Sequence, residues 1–246
     1  MSGAAQCLVM RRFGDAAAPD ALVVWLHGDV SAGGPATYHF AAAERAATAL
    51  AAKKVLSVAL LRPGYPDDAG NASTVAFSQG GRSDHYTRDN LHEVGTAIER
   101  LRERYKPRTV IAVGHSGGAA TTAVLLGLKP GLIDAAVLVA CPCDTVAWRA
   151  GRKAWSRSEN PVEWAGKVDP AARVIALTGD KDDNMSPALA RVYVDALGGP
   201  QGECRVPAGA GGNAQRGVQV GDGVGCLGRT AGGEMTAACA DRRASG

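Results

Sequence analysis

Thr109-Val110-Ile111-Ala112-Val113-Gly114-His115-Ser116-Gly117-Gly118-Ala119-Ala120 decides the fold: a short β-branched apolar run, a glycine-flanked serine, then small residues opening a helical pattern. Val110 to Val113 carries no charge, as a central parallel strand buried on both faces requires. Ala119 to Leu128 reads as a helix of small and aliphatic residues, ended by Gly127 and Pro130. Between them, glycines stand two before and two after Ser116, the spacing of a nucleophile elbow. Such a turn holds a serine between strand and helix, with Oγ clear of the sheet and a helix N-terminus facing developing negative charge. A side chain at either glycine would strike the neighbouring strand or helix. The bare pattern is common, and a plain glycine-rich turn is its other reading. A dinucleotide-binding turn is excluded, because Ser116 stands where G-x-G-x-x-G needs its second glycine.

Working outward, the chain alternates strand and helix. Gln6 to Arg12 reads as an edge strand, and Ala21 to Leu26 as a strand ending at His27-Gly28-Asp29. Phe40 to Ala52 is an alanine-rich helix, and Val55 to Leu61 a strand closed by Arg62-Pro63-Gly64-Tyr65-Pro66. Residues 64 to 83 form a long polar loop, which in a compact domain is more often functional than idle. Asp84 is expected to cap a helix running to about Tyr105, with Leu91, Val94, Ile98 and Leu101 at helical spacing. After the elbow helix come a strand over Ala135 to Ala140 and a tryptophan-rich stretch, Thr145 to Val168, expected as a cap over the sheet edge. Arg173 to Thr178 is the last clear strand and Pro187 to Leu197 the last clear helix. This order predicts a three-layer α/β/α domain over residues 1 to 198, with a mainly parallel central sheet. Loops at the carboxyl ends of such strands build the site. His27-Gly28-Asp29, the loop from Arg62, Ser116, Asp144 and the run after Thr178 all fall on that rim.

Composition narrows the function. The chain is 46% hydrophobic and 21% charged with a net charge of +3, and no Lys/Arg run is sustained, which argues against nucleic acid and membrane surfaces. No apolar stretch approaches the ~18 residues of a membrane span, and the opening residues lack a basic region followed by an apolar one, so a cytoplasmic protein is expected. Six cysteines in 246 residues do not make a disulfide scaffold. Cys141-Pro142-Cys143 is too short a spacing for an easy disulfide and has no companion pair for zinc, so buried thiols are expected there.

With these motifs in place, residues 6 to 198 resemble the α/β-hydrolase superfamily, and within it the dienelactone-hydrolase and prolyl-oligopeptidase-like serine hydrolases. The resemblance rests on the elbow, the His27-Gly28-Asp29 loop, and Thr178-Gly179-Asp180-Lys181-Asp182-Asp183-Asn184. It implies Ser116 as nucleophile, with the backbone N–H of Gly117 and one from Asp29 or Val30 as the oxyanion hole. It also implies Asp182 as the acid that orients a histidine base, with Asp183 and Asp180 as its competitors. His27 is then a structural residue of the oxyanion loop. Tyr65 and His115 are expected at the substrate pocket, His115 pointing away from its neighbour's hydroxyl. No cofactor or metal is implied, and the partner is a small ester or peptide-like substrate. Arg82, Ser83, Asp84 and His85 fit no ligand rule and read as a polar helix cap.

The pattern breaks at the base. Chain order Ser, Asp, His requires a histidine after the acid, yet the five histidines, at 27, 39, 85, 92 and 115, all precede Asp182. From Gly199 to Gly246 there are 13 glycines in 48 residues, no aromatic residue and no periodicity, a composition that does not order itself. The expected closing strand and helix are therefore absent, and the tail is expected to be disordered. A one-base frame shift accounts for both facts: it turns Met235-Thr236 into a stop and lets Ala210 to Gln215 encode Pro-Gly-Ala-Thr-His-Asn. Two functions follow: a serine hydrolase acting through Ser116, or a pseudo-hydrolase that binds small molecules without turning them over.

Overall fold

β-Branched and aliphatic runs form strands at Met10–Phe13 (β1), Ala21–Leu26 (β2), Val55–Leu60 (β3), Thr109–His115 (β4), Ala135–Val139 (β5), Arg173–Leu177 (β6) and Gly202–Arg205 (β7). In this computed structural model, which describes residues 1–14, 17–73 and 86–207, they make one sheet in the order β1-β3-β2-β4-β5-β6-β7. β1 runs antiparallel to β3, and every other pairing is parallel. Helices lie at Phe40–Ala49 (α1), Arg88–Tyr105 (α2), Gly117–Leu128 (α3), Thr145–Trp148 (α4) and Pro187–Ala196 (α5).

Alternate residues of the central strands feed two cores, because successive side chains of a strand point to opposite faces. Leu22, Val24 and Leu26 of β2 pack with α2 and α3 on one face, while Val23 and Trp25 pack with Phe40, Ala43 and Ala46 of α1 on the other. α3 is buried nearly all round, which its small residues permit and its lack of a polar face demands. Chain order turns around at β2, whose neighbours are β3 and β4. Loops leaving β2 and β4 therefore diverge there and open the crevice in which such sheets bind ligands.

Three expectations change. Helix α2 begins at Arg88, where Thr87 accepts from the Asn90 N–H as N-cap; Asp84, expected as its cap, and residues 74–85 around it lie outside the described residues. Cys141 and Cys143 are disulfide-bonded rather than free. Ala140 has φ +46° and Pro142 fixes the next bend, so the two Cα atoms come within 5.0 Å, inside the range a disulfide spans. The closing strand expected to be absent is present as β7. Four residues are too few for a periodic signal, yet β7 pairs in parallel with β6, and a methyl on Gly202 would touch Leu197 and Val194. The rest of the tail, and the position of the frame-shifted histidine, lie outside the described residues. No helix among the described residues is long and apolar enough to cross a membrane.

Candidate active site

The elbow is built by backbone crowding. Ser116 has φ +50° and ψ −116°, a conformation costly for a side-chain-bearing residue. Its N–H is fixed to Val139 O of β5 at 2.8 Å, and its carbonyl accepts from Ala120 N–H at 3.0 Å. A Cβ on Gly114 would overlap the backbone of Gly118 and lie 2.6 Å from the Ala119 Cα, and one on Gly118 would overlap the Leu26 carbonyl. Backbone atoms on both sides cannot yield as a flexible side chain does. Gly114→Ala should therefore cost about 1–3 kcal/mol in urea unfolding, and an unchanged midpoint would contradict this crowding. The Ser116 hydroxyl makes no cap bond and is half-buried, beside the first unpaired amides of α3.

Behind the turn sits a buried charge network. Arg62, at the end of β3, is 4% exposed and forms an ion pair with Asp29. The same carboxylate accepts from the Tyr65 hydroxyl at 3.0 Å and the Tyr86 hydroxyl at 2.8 Å. Burial pulls the Arg62 guanidinium toward losing its proton, but the adjacent carboxylate outweighs that and holds its pKa above the usual value. Tyr86 is pushed up by burial and then by the Asp29 charge, so it stays a donor. A Cβ on Gly117 would lie 2.5 Å from Asp29 Oδ1 and 2.9 Å from Arg62 Nη2, so the pair backs directly onto the residue after the serine. Tyr65, expected to line the substrate pocket, is instead 1% exposed, its hydroxyl on Asp29. With Arg62 and Thr121 it borders a small, partly open cavity of about 10 Å³, at the lower limit for holding one water.

His27 has the structural role expected of it. It is fully buried; Nδ1–H donates to Gly28 O at 2.7 Å and Nε2 accepts from Arg62 N–H at 3.0 Å, fixing a neutral ring. His115 turns its Nδ1 to Tyr38, whose hydroxyl lies 2.6 Å away. Burial lowers His115 to about 4, with the charges of Asp182 and Asp29 opposing and that of Arg62 assisting. Tyr38 also accepts from Gly28 N–H at 2.5 Å, and burial raises its hydroxyl to about 12.

Asp182 follows the end of β6 and so lies on the same rim as the turn after β4, because β4, β5 and β6 run parallel. Its Oδ1 accepts from the Met185 N–H at 2.8 Å and the Asn184 N–H at 3.1 Å. Its rivals Asp180 and Asp183 are exposed. The tryptophan stretch is only partly the expected cap. Trp148 donates to Asn184 Oδ1 at 3.4 Å and packs edge-on against Trp155, which packs against Tyr86. Trp164 instead packs under α3, where a Cβ on Gly127 would lie 2.9 Å from the Trp164 Cβ. Sequence reading missed Tyr38, Arg62 and Tyr86 as parts of the site; only Arg62 left a signal, a charge directly after a fully buried strand.

The strand order, the antiparallel first strand and the serine turn after β4 define an α/β-hydrolase fold. Solved structures agree. The monoacylglycerol lipase of Paleococcus ferrophilus superposes with a TM-score of 0.59 at 15% identity, covering 88% of this chain and 94% of that one. Est1E of Butyrivibrio proteoclasticus with ferulic acid bound gives 0.60 at 13% identity, covering 82% and 86%. A prolyl endopeptidase gives 0.59 at 17% identity, covering 84% of this chain but 35% of that one. No family model and no curated protein matches the chain in sequence.

Proposed function

We propose that the protein is a serine hydrolase that transfers an acyl group from a small ester or peptide-like substrate to water through Ser116. The observation that carries this is the Ser116 backbone: a non-glycine residue held at φ +50° with its hydroxyl uncommitted at the start of α3. Strain kept at one residue and enforced by glycines on both sides serves a hydroxyl that must be presented. In the reaction Oγ attacks the carbonyl, and the Gly117 N–H with one from Asp29 or Val30 holds the oxyanion. On this reading a histidine following Asp182, as the one-base shift over Ala210 to Gln215 would encode, takes the Oγ proton and passes it to the leaving alcohol or amine; Asp182 stabilises the protonated ring, and water then releases the acid. Neighbours of the same fold include a lipase, an esterase and an endopeptidase, which supports acyl transfer as the class. The same reading extends the hydrolase domain past the expected boundary at 198 to include β7, and takes the protein as cytoplasmic.

A second reading, a binding protein without turnover, is favoured by one fact: no histidine follows Asp182. Alkyl fluorophosphonate separates the two. A hydrolase should carry the phosphonyl adduct on Ser116 within the tryptic peptide Thr109 to Arg149, which spans the uncleaved Lys129-Pro130 bond. A protein recovered unmodified at that peptide after prolonged exposure is the non-catalytic one.

A further inference from the structure

Three groups converge on Gly28. A methyl there would lie 2.9 Å from Ser116 Cβ, 3.1 Å from His115 Nδ1 and 3.1 Å from Tyr38 Oη. The Tyr38 hydroxyl thus stands where the loop after β2 meets the elbow, and it bonds to both: it accepts from Gly28 N–H at 2.5 Å and lies 2.6 Å from His115 Nδ1. The direction of the second bond follows from the other ring nitrogen. His115 Nε2 is enclosed and has no partner among the described residues. An orphaned buried N–H is the rarer and costlier defect than an idle lone pair, so the proton of the neutral ring belongs on Nδ1, which donates to Tyr38. Asp182, Asp29 and Arg62, from three different loops, are the charges acting on this ring.

We propose that Tyr38 is a positioning residue of the site: by accepting from Gly28 N–H and His115 Nδ1–H, its hydroxyl locks the loop after β2 to the elbow and sets the spacing of the amides around Ser116. The two segments lie 88 residues apart, and oxyanion stabilisation depends on donors held to within fractions of an ångström of the developing charge. Half of the Tyr38 side chain faces solvent, so its hydroxyl can be removed without opening a core cavity. This inference rests on the acyl-transfer reading above.

The test compares the full chain with its Tyr38→Phe variant, which keeps the ring. Labelling of Ser116 by alkyl fluorophosphonate is resolved into affinity and inactivation rate. The rate should fall about tenfold or more while affinity stays within about twofold, because the lock acts on the transition state and not on binding. Nitrogen-15 NMR of the histidines supplies an independent readout, in which wild-type His115 should carry its proton on Nδ1 and lose that hydrogen-bonded signature in the variant. Equal inactivation rates, or a proton on Nε2 in the wild type, overturn the positioning role and leave the hydrolase reading standing. A wild-type protein that is not labelled at Ser116 overturns the hydrolase reading and this inference with it.

Discussion

Replacing Asp29 by alanine should destabilise the protein by about 3–5 kcal/mol, the usual result of stranding one member of a buried ion pair. Arg62 is 4% exposed, its Nε has no partner among the described residues, and Asp29 is its ion-pair acceptor. The hydroxyls of Tyr65 and Tyr86 would lose their acceptor in the same step. For a chain of this size, such a loss lowers the melting temperature by about 6–20 °C. The double variant Asp29→Ala, Arg62→Met should recover a large part of it, since the penalty is the unpaired charge and not the missing attraction. A melting temperature within a degree or two of wild type for Asp29→Ala would show that water reaches the guanidinium.

Mild acid should destabilise the protein. His27 and His39 are buried, and burial holds both well below their ordinary value, His39 at about 3. In the unfolded chain they titrate near 6.5. Between those values the unfolded state binds more protons, so the stabilisation is complete above pH 6.5 and declines as pH falls toward the folded-state values. With its folded-state value at about 3, His39 removes about 1.4 kcal/mol per pH unit, or about 2 kcal/mol at pH 5, and His27 acts in the same direction. Against a total of about 5–15 kcal/mol, that is a large share. Burial shifts His115 the same way. Urea midpoints at neutral pH and near pH 5 provide the check, and a flat profile would mean that the two rings are charged in the native state.

Strands β2 to β6 were legible because each is an uninterrupted apolar run of strand length bounded by turn residues. The elbow was legible because its glycines are dictated by backbone contacts that any protein with this turn must make. What escaped has a common cause. Tyr38, Arg62 and Tyr86 meet Asp29 or the elbow through contacts 10 to 77 residues apart in sequence, and no local pattern marks them. The Cys141–Cys143 disulfide escaped because the spacing rule ignores the left-handed residue before it. β7 escaped because its glycine-rich surroundings hide four residues whose order comes from the neighbouring strand.

β7 also has a directional consequence. Running parallel to β6, it ends beside the acid loop, where Thr178 N–H donates to Arg205 O at 3.2 Å and Asp180 N–H to Pro207 O at 3.4 Å. The polypeptide is thereby delivered, at position 207, to the doorstep of Asp182. The loop that carries Asp182 is thus tied to the sheet edge through main chain, a tether that a side-chain substitution at Arg205 would leave in place.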